Sequence, residues 1–199
     1  MIGGGYVGLV SGACFAEFGI HVSVVETNPA RLSALREGRI PIYEPGLDSL
    51  VASNSQAGRL TFGDDIAQAV AGAEAVFIAV GTPPRNGDVA ADLQYVHAAA
   101  RQIAQAITGY TVIVTKSTVP VGTSRRIAEI IRTTRPEADF DVASNPEFLR
   151  EGSAIGDFMR PERVIIGLDQ KQPERASRAE AVLRQVYRPL SSTDARLLF

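Results

Sequence analysis

GGGYVGLVSGACFAEFGI, residues 3–20, decides how the rest of this chain is read. Gly3, Gly5 and Gly8 fit the spacing G-x-G-x-x-G. In that pattern the first glycine permits a tight turn after a strand, and the second lets a pyrophosphate approach the backbone. The third lets the following helix pack closely on the sheet, with its amino end facing the phosphates. A glycine turn alone is a weak signal, so its surroundings carry the argument. VSVVE (22–26) follows as a second strand and ends in Glu26, 18 residues after Gly8. A carboxylate there accepts hydrogen bonds from the adenosine ribose hydroxyls and repels a 2′-phosphate. NAD is therefore favoured over NADP, and Arg31 on the next turn is the one feature pointing the other way.

Outward from this unit the chain keeps alternating. Apolar, β-branched runs recur at AVFIAV (75–80), TVIVTK (111–116), DFDVAS (139–144) and RVIIG (163–167). Helical patterns separate them at PARLSALREG (29–38), DIAQAVAGA (65–73), DLQYVHAAARQIAQAI (92–107) and TSRRIAEIIRTTR (123–135), with Asp92 and Thr123 as expected N-caps. Continuous apolar strands alternating with amphipathic helices suit a parallel sheet covered on both faces. The expected fold is α/β: a doubly wound, mainly parallel Rossmann-type sheet. Only Met1 and Ile2 precede Gly3, whereas a strand usually runs about 5 to 6 residues. The tail SSTDARLLF carries no closing signal. Both ends read as those of a fragment.

The 199 residues suffice for one good-sized core. Lys plus Arg is 20 and Asp plus Glu 22, a net charge of −2, so there is no electrostatic case for nucleic acid or an anionic membrane surface. A single cysteine forms no internal disulfide. The apolar runs are too short to cross a bilayer, and no secretory pattern precedes the glycine turn. The expectation is a soluble, cytoplasmic protein. Cys14 falls on the helix behind the turn, in the run GACFAEFGI with no flanking histidine, and is expected to pack rather than react.

Three polar motifs share one position: VGTPP (80–84), KSTVPVG (116–122) and NPEFLREG (145–152) each follow a strand. In an open parallel sheet, ligands bind outside the carboxyl ends of the strands. Gly3–Gly8, Glu26, Thr82, Thr118 and Glu147 should gather on that rim. Each also has an ordinary reading: Thr82 as part of a turn with Pro83, Thr118 as a helix cap. Glu147 and Glu151, four apart, would share a face on a helical turn and suit acid–base work if that face meets a ligand.

These motifs, together with IPIYEPGL (40–47) and the longer run NPEFLREGSAIGDFMRPERVIIG (145–167), make the chain resemble the UDP-glucose/GDP-mannose dehydrogenase family over nearly its whole length. The resemblance implies oxidation of a sugar 6-hydroxymethyl group to a carboxylate with two NAD⁺, through a thioester on a cysteine. It implies NAD contacts from Gly3, Gly5, Val7, Gly8, Glu26, Arg31, Thr82 and Thr118. Thr118 would also help hold a water near the reacting carbon. Glu147, Phe148, Leu149, Arg150 and Glu151 would line the sugar-nucleotide site, with Glu147 as base for thioester hydrolysis and Glu151 between cofactor and substrate. The GDFMRPERVIIG continuation favours UDP-glucose as substrate; GDP-mannose and UDP-N-acetyl-hexosamines are the rivals. Glu26 stands where the family more often has aspartate. The family's cysteine motif, G-G-x-C-F-P-K-D in type, and its linking helix do not occur here. Residues 1–199 are therefore expected to be one NAD-binding domain, a Rossmann core over about 1–135 and an α/β extension over about 136–199. The full-length enzyme would be a homo-oligomer, and this part alone would be inactive. Readings of another class are a noncatalytic NAD-sensing module and a structural domain with an empty glycine turn; the paired glutamates of NPEFLRE count against the sensing module.

Overall fold

In the computed structural model, which describes residues 1–84, 91–193 and 195–199, the sheet grows on both sides of the chain's first residues. Ile2 donates to Phe77 O (2.8 Å) and accepts from Ala79 N (2.8 Å), while Gly3 donates to Val25 O (2.9 Å). This stub thus lies between β1 (Val22–Val25) and β3 (Ala75–Ile78). β1 pairs in parallel with β2 (Leu60–Gly63), and β3 with β4 (Thr111–Thr115), which in turn pairs with β5 (Phe140–Ser144). The resulting order, β2-β1-stub-β3-β4-β5, is the doubly wound dinucleotide-binding order. The fold expected from sequence is the one observed.

β4 explains why such strands read as continuous apolar runs. All five of its residues are buried, because helices cover both sheet faces. On one face lie α4 (Ile66–Val70), α5 (Gln94–Ala106) and α6 (Thr123–Thr134), packed through Val96, Ile103, Ile127 and Ile131. On the other lie α1 (Tyr6–Glu17), α3 (Leu47–Gln56), α7 (Ala154–Met159) and α8 (Pro173–Val186). α1 is buried continuously from Gly8 to Ala16, so its sequence is apolar all round rather than striped. Phe15 on α1 meets the rings of Phe77, Phe158 and Tyr187 at 5.0, 5.0 and 5.4 Å between centroids. α2 (Pro29–Arg36) starts at Asn28, whose side chain accepts from Arg31 N.

Beyond β5 the chain adds a small parallel pair, β6 (Arg163–Ile165) with β7 (Arg196–Leu198). It joins the main sheet through an antiparallel bridge between Ser144 and Gly167. A short 3-10 helix, Arg188–Ser192, links α8 toward β7. α8 is tied to the sheet edge by Arg178, which makes two hydrogen bonds to Asp139 (2.9 and 2.7 Å) and stacks 3.5 Å over the Tyr110 ring.

Two caps differ from expectation. α5 begins after Leu93, and Asp92 sits one residue earlier, where its carboxylate still accepts from Gln94 N at 3.0 Å. α6 begins after Gly122, which takes φ +93°; Thr123 is already helical and donates to Pro120 O at 2.7 Å. None of the helices is long and apolar enough to cross a membrane among the described residues.

Candidate functional site

The glycine turn is interlocked with the strand ends. Gly3 has φ +107°, and a Cβ there would lie 2.7 Å from Ala79 O. A Cβ on Gly8 would lie 1.9 Å from Gly3 O, so α1 sits directly on the turn's backbone. Around Gly5 a Cβ would meet nothing within 4 Å. α1 starts after Gly5 with no side-chain cap and no acidic residue in its first turn, where Val7 lies. First-turn amides lacking a side-chain acceptor beside open space suit a pyrophosphate.

Glu26 closes the adenosine end. It is buried, its Oε1 accepts Asn28 N–H at 2.8 Å, and its Oε2 lies 3.1 Å from where a Cβ on Gly4 would stand. The carboxylate therefore faces the glycine turn, as a ribose acceptor must. Arg31 is exposed on α2. The residues present thus fit a dinucleotide whose 2′-position carries no phosphate.

Toward the other end of the rim, Thr82 Oγ1 donates to Thr118 O at 3.1 Å, joining two of the expected contacts. Thr118 is exposed and caps no helix. Its neighbour Ser117 donates to Val80 O at 2.7 Å. Lys116 is buried and donates to Asn145 Oδ1 at 3.1 Å, an oxygen that also accepts from Tyr187 OH. Asn145 Nδ2 donates to Ile165 O at 2.9 Å. Burial pushes the Lys116 ammonium down to about 8, opposed by the charge of Glu147. Beneath Glu147 is a cavity of about 50 Å³ lined in part by Lys116, Asn145, Phe158 and Tyr187.

The glutamates do not sit as expected. Residues 145–150 are irregular, and a turn follows at 151–153, so Glu147 and Glu151 share no helical face. Glu147 is half-buried and its carboxylate accepts the Leu149 amide at 2.6 Å, whereas Glu151 is exposed. The Glu147 carboxylate takes the Leu149 amide in a tight local turn, a side-chain-to-backbone bond that replaces a helical one. Phe148 is exposed and Leu149 half-buried. Arg150 is held by Asp157, at 2.7 Å and 3.1 Å from its guanidinium and 2.9 Å from its amide. Cys14 is fully buried, and burial pushes its thiol up to about 12, so it is a packing residue.

Three further residues tie the rim together and were not singled out from sequence: Lys116, Asn145 and Glu44. Each lay inside a motif already noted, but as a single polar residue without a local partner. Grooves of about 510 and 430 Å³ lie elsewhere, along the outer edge of β5 and below the amino ends of the strands. The ledge is marked by unfilled backbone space and convergent polar groups, not by enclosure.

The order of strands, the interlocked glycine turn and the acid at the tip of β1 define a Rossmann-type dinucleotide-binding domain. Residues 1–191 match the UDP-glucose/GDP-mannose dehydrogenase family, NAD binding domain, and the chain belongs to that family. It is 58% identical over 199 residues to the UDP-glucose 6-dehydrogenase of Rhizobium meliloti, covering all of this chain and 45% of that protein. With the UDP-glucose 6-dehydrogenase of Pseudomonas aeruginosa it shares 49% identity, covering 100% of this chain and 43% of the relative. Among solved structures it superposes on a UDP-glucose dehydrogenase of Pyrobaculum islandicum with TM-score 0.88 and 41% identity, covering 99% of this chain and 45% of that one. A GDP-mannose dehydrogenase of Pseudomonas aeruginosa gives TM-score 0.87 and 35% identity, at 99% and 44% coverage. The chain thus spans a little under half the length of these relatives.

Proposed function

We propose that this chain is the NAD-binding part of a nucleotide-sugar 6-dehydrogenase that converts UDP-glucose to UDP-glucuronate. The observation that carries the reading is the convergence of four strand-end segments on one rim. There Glu26 faces the glycine turn, and Thr82 and Thr118 are hydrogen-bonded to each other. The matched relatives support the substrate class; GDP-mannose and UDP-N-acetyl-hexosamines are the competing substrates. All 199 residues form one NAD-binding domain in this reading.

The balance of the reaction sets what the residues must do. A primary alcohol, two NAD⁺ and one water give a carboxylate, two NADH and three protons. Bound NAD⁺ supplies the hydride acceptor. The α1 amino end and Gly3–Gly8 hold the pyrophosphate, Val7 packs beside it, and Glu26 accepts from the ribose. Arg31 lies along the adenosine side. Thr82 and Thr118 border the nicotinamide, and Thr118 orients a water. The loop Glu147–Glu151 lines the sugar site. Glu147 takes the proton from the attacking water in hydrolysis of the acyl intermediate, whose cysteine lies outside these residues. Glu151 stands between the two ligands.

The test is calorimetric titration of the chain with NAD⁺ and NADP⁺. NAD⁺ should saturate, and Glu26→Lys should weaken it roughly 10- to 100-fold, the worth of a charged hydrogen bond. Absence of saturable NAD⁺ binding by the folded chain would sink the reading. The full-length enzyme, assayed with UDP-glucose, GDP-mannose and UDP-N-acetyl-hexosamines, then fixes the substrate. NAD binding without turnover on any of them would favour the sensing module.

A further inference from the structure

Glu44 is a buried acid that the proposed chemistry does not use. It lies between α2 and α3 in the segment IPIYEPGL and is 6% exposed. No cation pairs with it among the described residues. Its partners are neutral donors: Tyr6 OH at 2.6 Å, Gly152 N–H at 2.8 Å and Ile155 N–H at 3.4 Å. Burial by itself would raise the carboxyl's pKa, but these donors outweigh it and hold the group below its usual range, hence ionised.

A buried carboxylate without a counter-charge depends on its donors. Here the donors come from opposite walls of the ledge. Tyr6 is the first residue of α1, next to Gly5 at the pyrophosphate end, and its hydroxyl also lies 3.5 Å from Arg150 O. Gly152 and Ile155 lie where the loop carrying Glu147–Glu151 turns into α7. The three segments are 38 and 108 residues apart in sequence and meet at one carboxylate. A displacement of α1's first turn relative to the loop strips Glu44 of a donor, so the two move together or not at all.

We infer that Glu44 is a positioning residue that couples the two ligand sites: it links seating of the dinucleotide on α1 to the arrangement of the loop that reads the nucleotide sugar. Tyr6 is the arm of this link on the cofactor side. The inference rests on the functional reading above and adds to it a residue and a reciprocal dependence of the two affinities.

The experiment measures UDP-glucose affinity of the full-length enzyme by calorimetry, with and without saturating NADH. In the unsubstituted enzyme NADH should tighten UDP-glucose about 10-fold. Tyr6→Phe and Glu44→Ala should each bring that ratio near one, and the double variant should lose nothing further. Glu44→Gln, which keeps an acceptor for Gly152, should restore part of it. General loosening of the fold would lower melting temperature and weaken each ligand alone, and its effects would add. Tyr6→Phe removes one oxygen and keeps the inference testable if Glu44→Ala does not fold. A ratio of one in the unsubstituted enzyme, or a ratio unchanged by Tyr6→Phe, overturns the coupling alone. Failure of the unsubstituted enzyme to bind UDP-glucose at all overturns the functional reading, and the coupling with it.

Discussion

Lys116 follows directly on β4 as a residue only 4% exposed, with one ammonium hydrogen bond to Asn145 and the Phe158 ring centroid 5.5 Å from its Nζ. Burial lowers its pKa from 10.5 to about 8, with Glu147 and Cys14 acting in the opposite sense. The folded chain therefore binds this proton more weakly than the unfolded chain. The cost is fully present below pH 8 and is relieved as pH rises toward 10.5, so stability from this group increases across that window. From the size of the shift the gain is on the order of 3 kcal/mol. Urea unfolding at both ends of the window should show the unsubstituted chain gaining on Lys116→Met by about that amount. Parallel pH curves for the two chains would mean that the ammonium is solvated. Nothing in the sequence marks this lysine as buried, because it follows an apolar run and precedes an exposed loop. Its burial is a product of Tyr187 and Phe158, which arrive from distant elements.

The turn into α1 and the helix itself carry two kinds of glycine, Gly5 before the helix and Gly8 within it, and substitution separates them. Gly8→Ala places a methyl group against the backbone of Gly3, where no flexible side chain can yield. It should destabilise the chain by about 1–3 kcal/mol and abolish NAD binding together. Gly5→Ala meets open space. It should change stability by less than about 1 kcal/mol while still weakening NAD, because its methyl group occupies the approach to the amides. Thermal unfolding and NAD titration of the two variants decide the matter, and equal losses in both would refute the division of roles. This division was legible in GGGYVGLVSG, since the three glycine spacings carry it. Other elements were not. β2 is LTFG, four residues with no run of apolar neighbours, and α3 is LDSLVASNSQ, whose apolar positions are only Leu47, Leu50 and Val51 with Ala52. Both owe their form to β1 and α1 packing beside them, so propensity was too weak to reveal them. The spacing of Glu147 and Glu151 suggested a helical turn, where instead the Glu147 carboxylate takes the Leu149 amide in a tight local turn.

Across the whole molecule, the alternation of strands and helices made the doubly wound sheet readable, and with it the side on which polar motifs collect. The long-range ties did not show in the same way. Glu44 meets Gly152 across 108 positions and Lys116 meets Asn145 across 29, and no local pattern encodes such pairings. At this scale the ledge is served by no accessible thiol, since Cys14, the single cysteine of the sequence, is enclosed behind it. The 199 residues with NAD⁺ and UDP-glucose should therefore bind coenzyme yet accumulate no NADH in a spectrophotometric assay. Sustained NADH formation would contradict the assignment of the cysteine to residues outside the chain.

The stub at Ile2 has a temporal consequence. One of its flanks is completed by Val25, but the other waits for Phe77 and Ala79. On a translating ribosome, the coenzyme turn would therefore stand half-built, with one neighbour in place and the other still unmade, until β3 had left the exit tunnel. Nascent chains arrested just short of β3 and just beyond it would differ in a single respect: only the longer one owns a finished cradle.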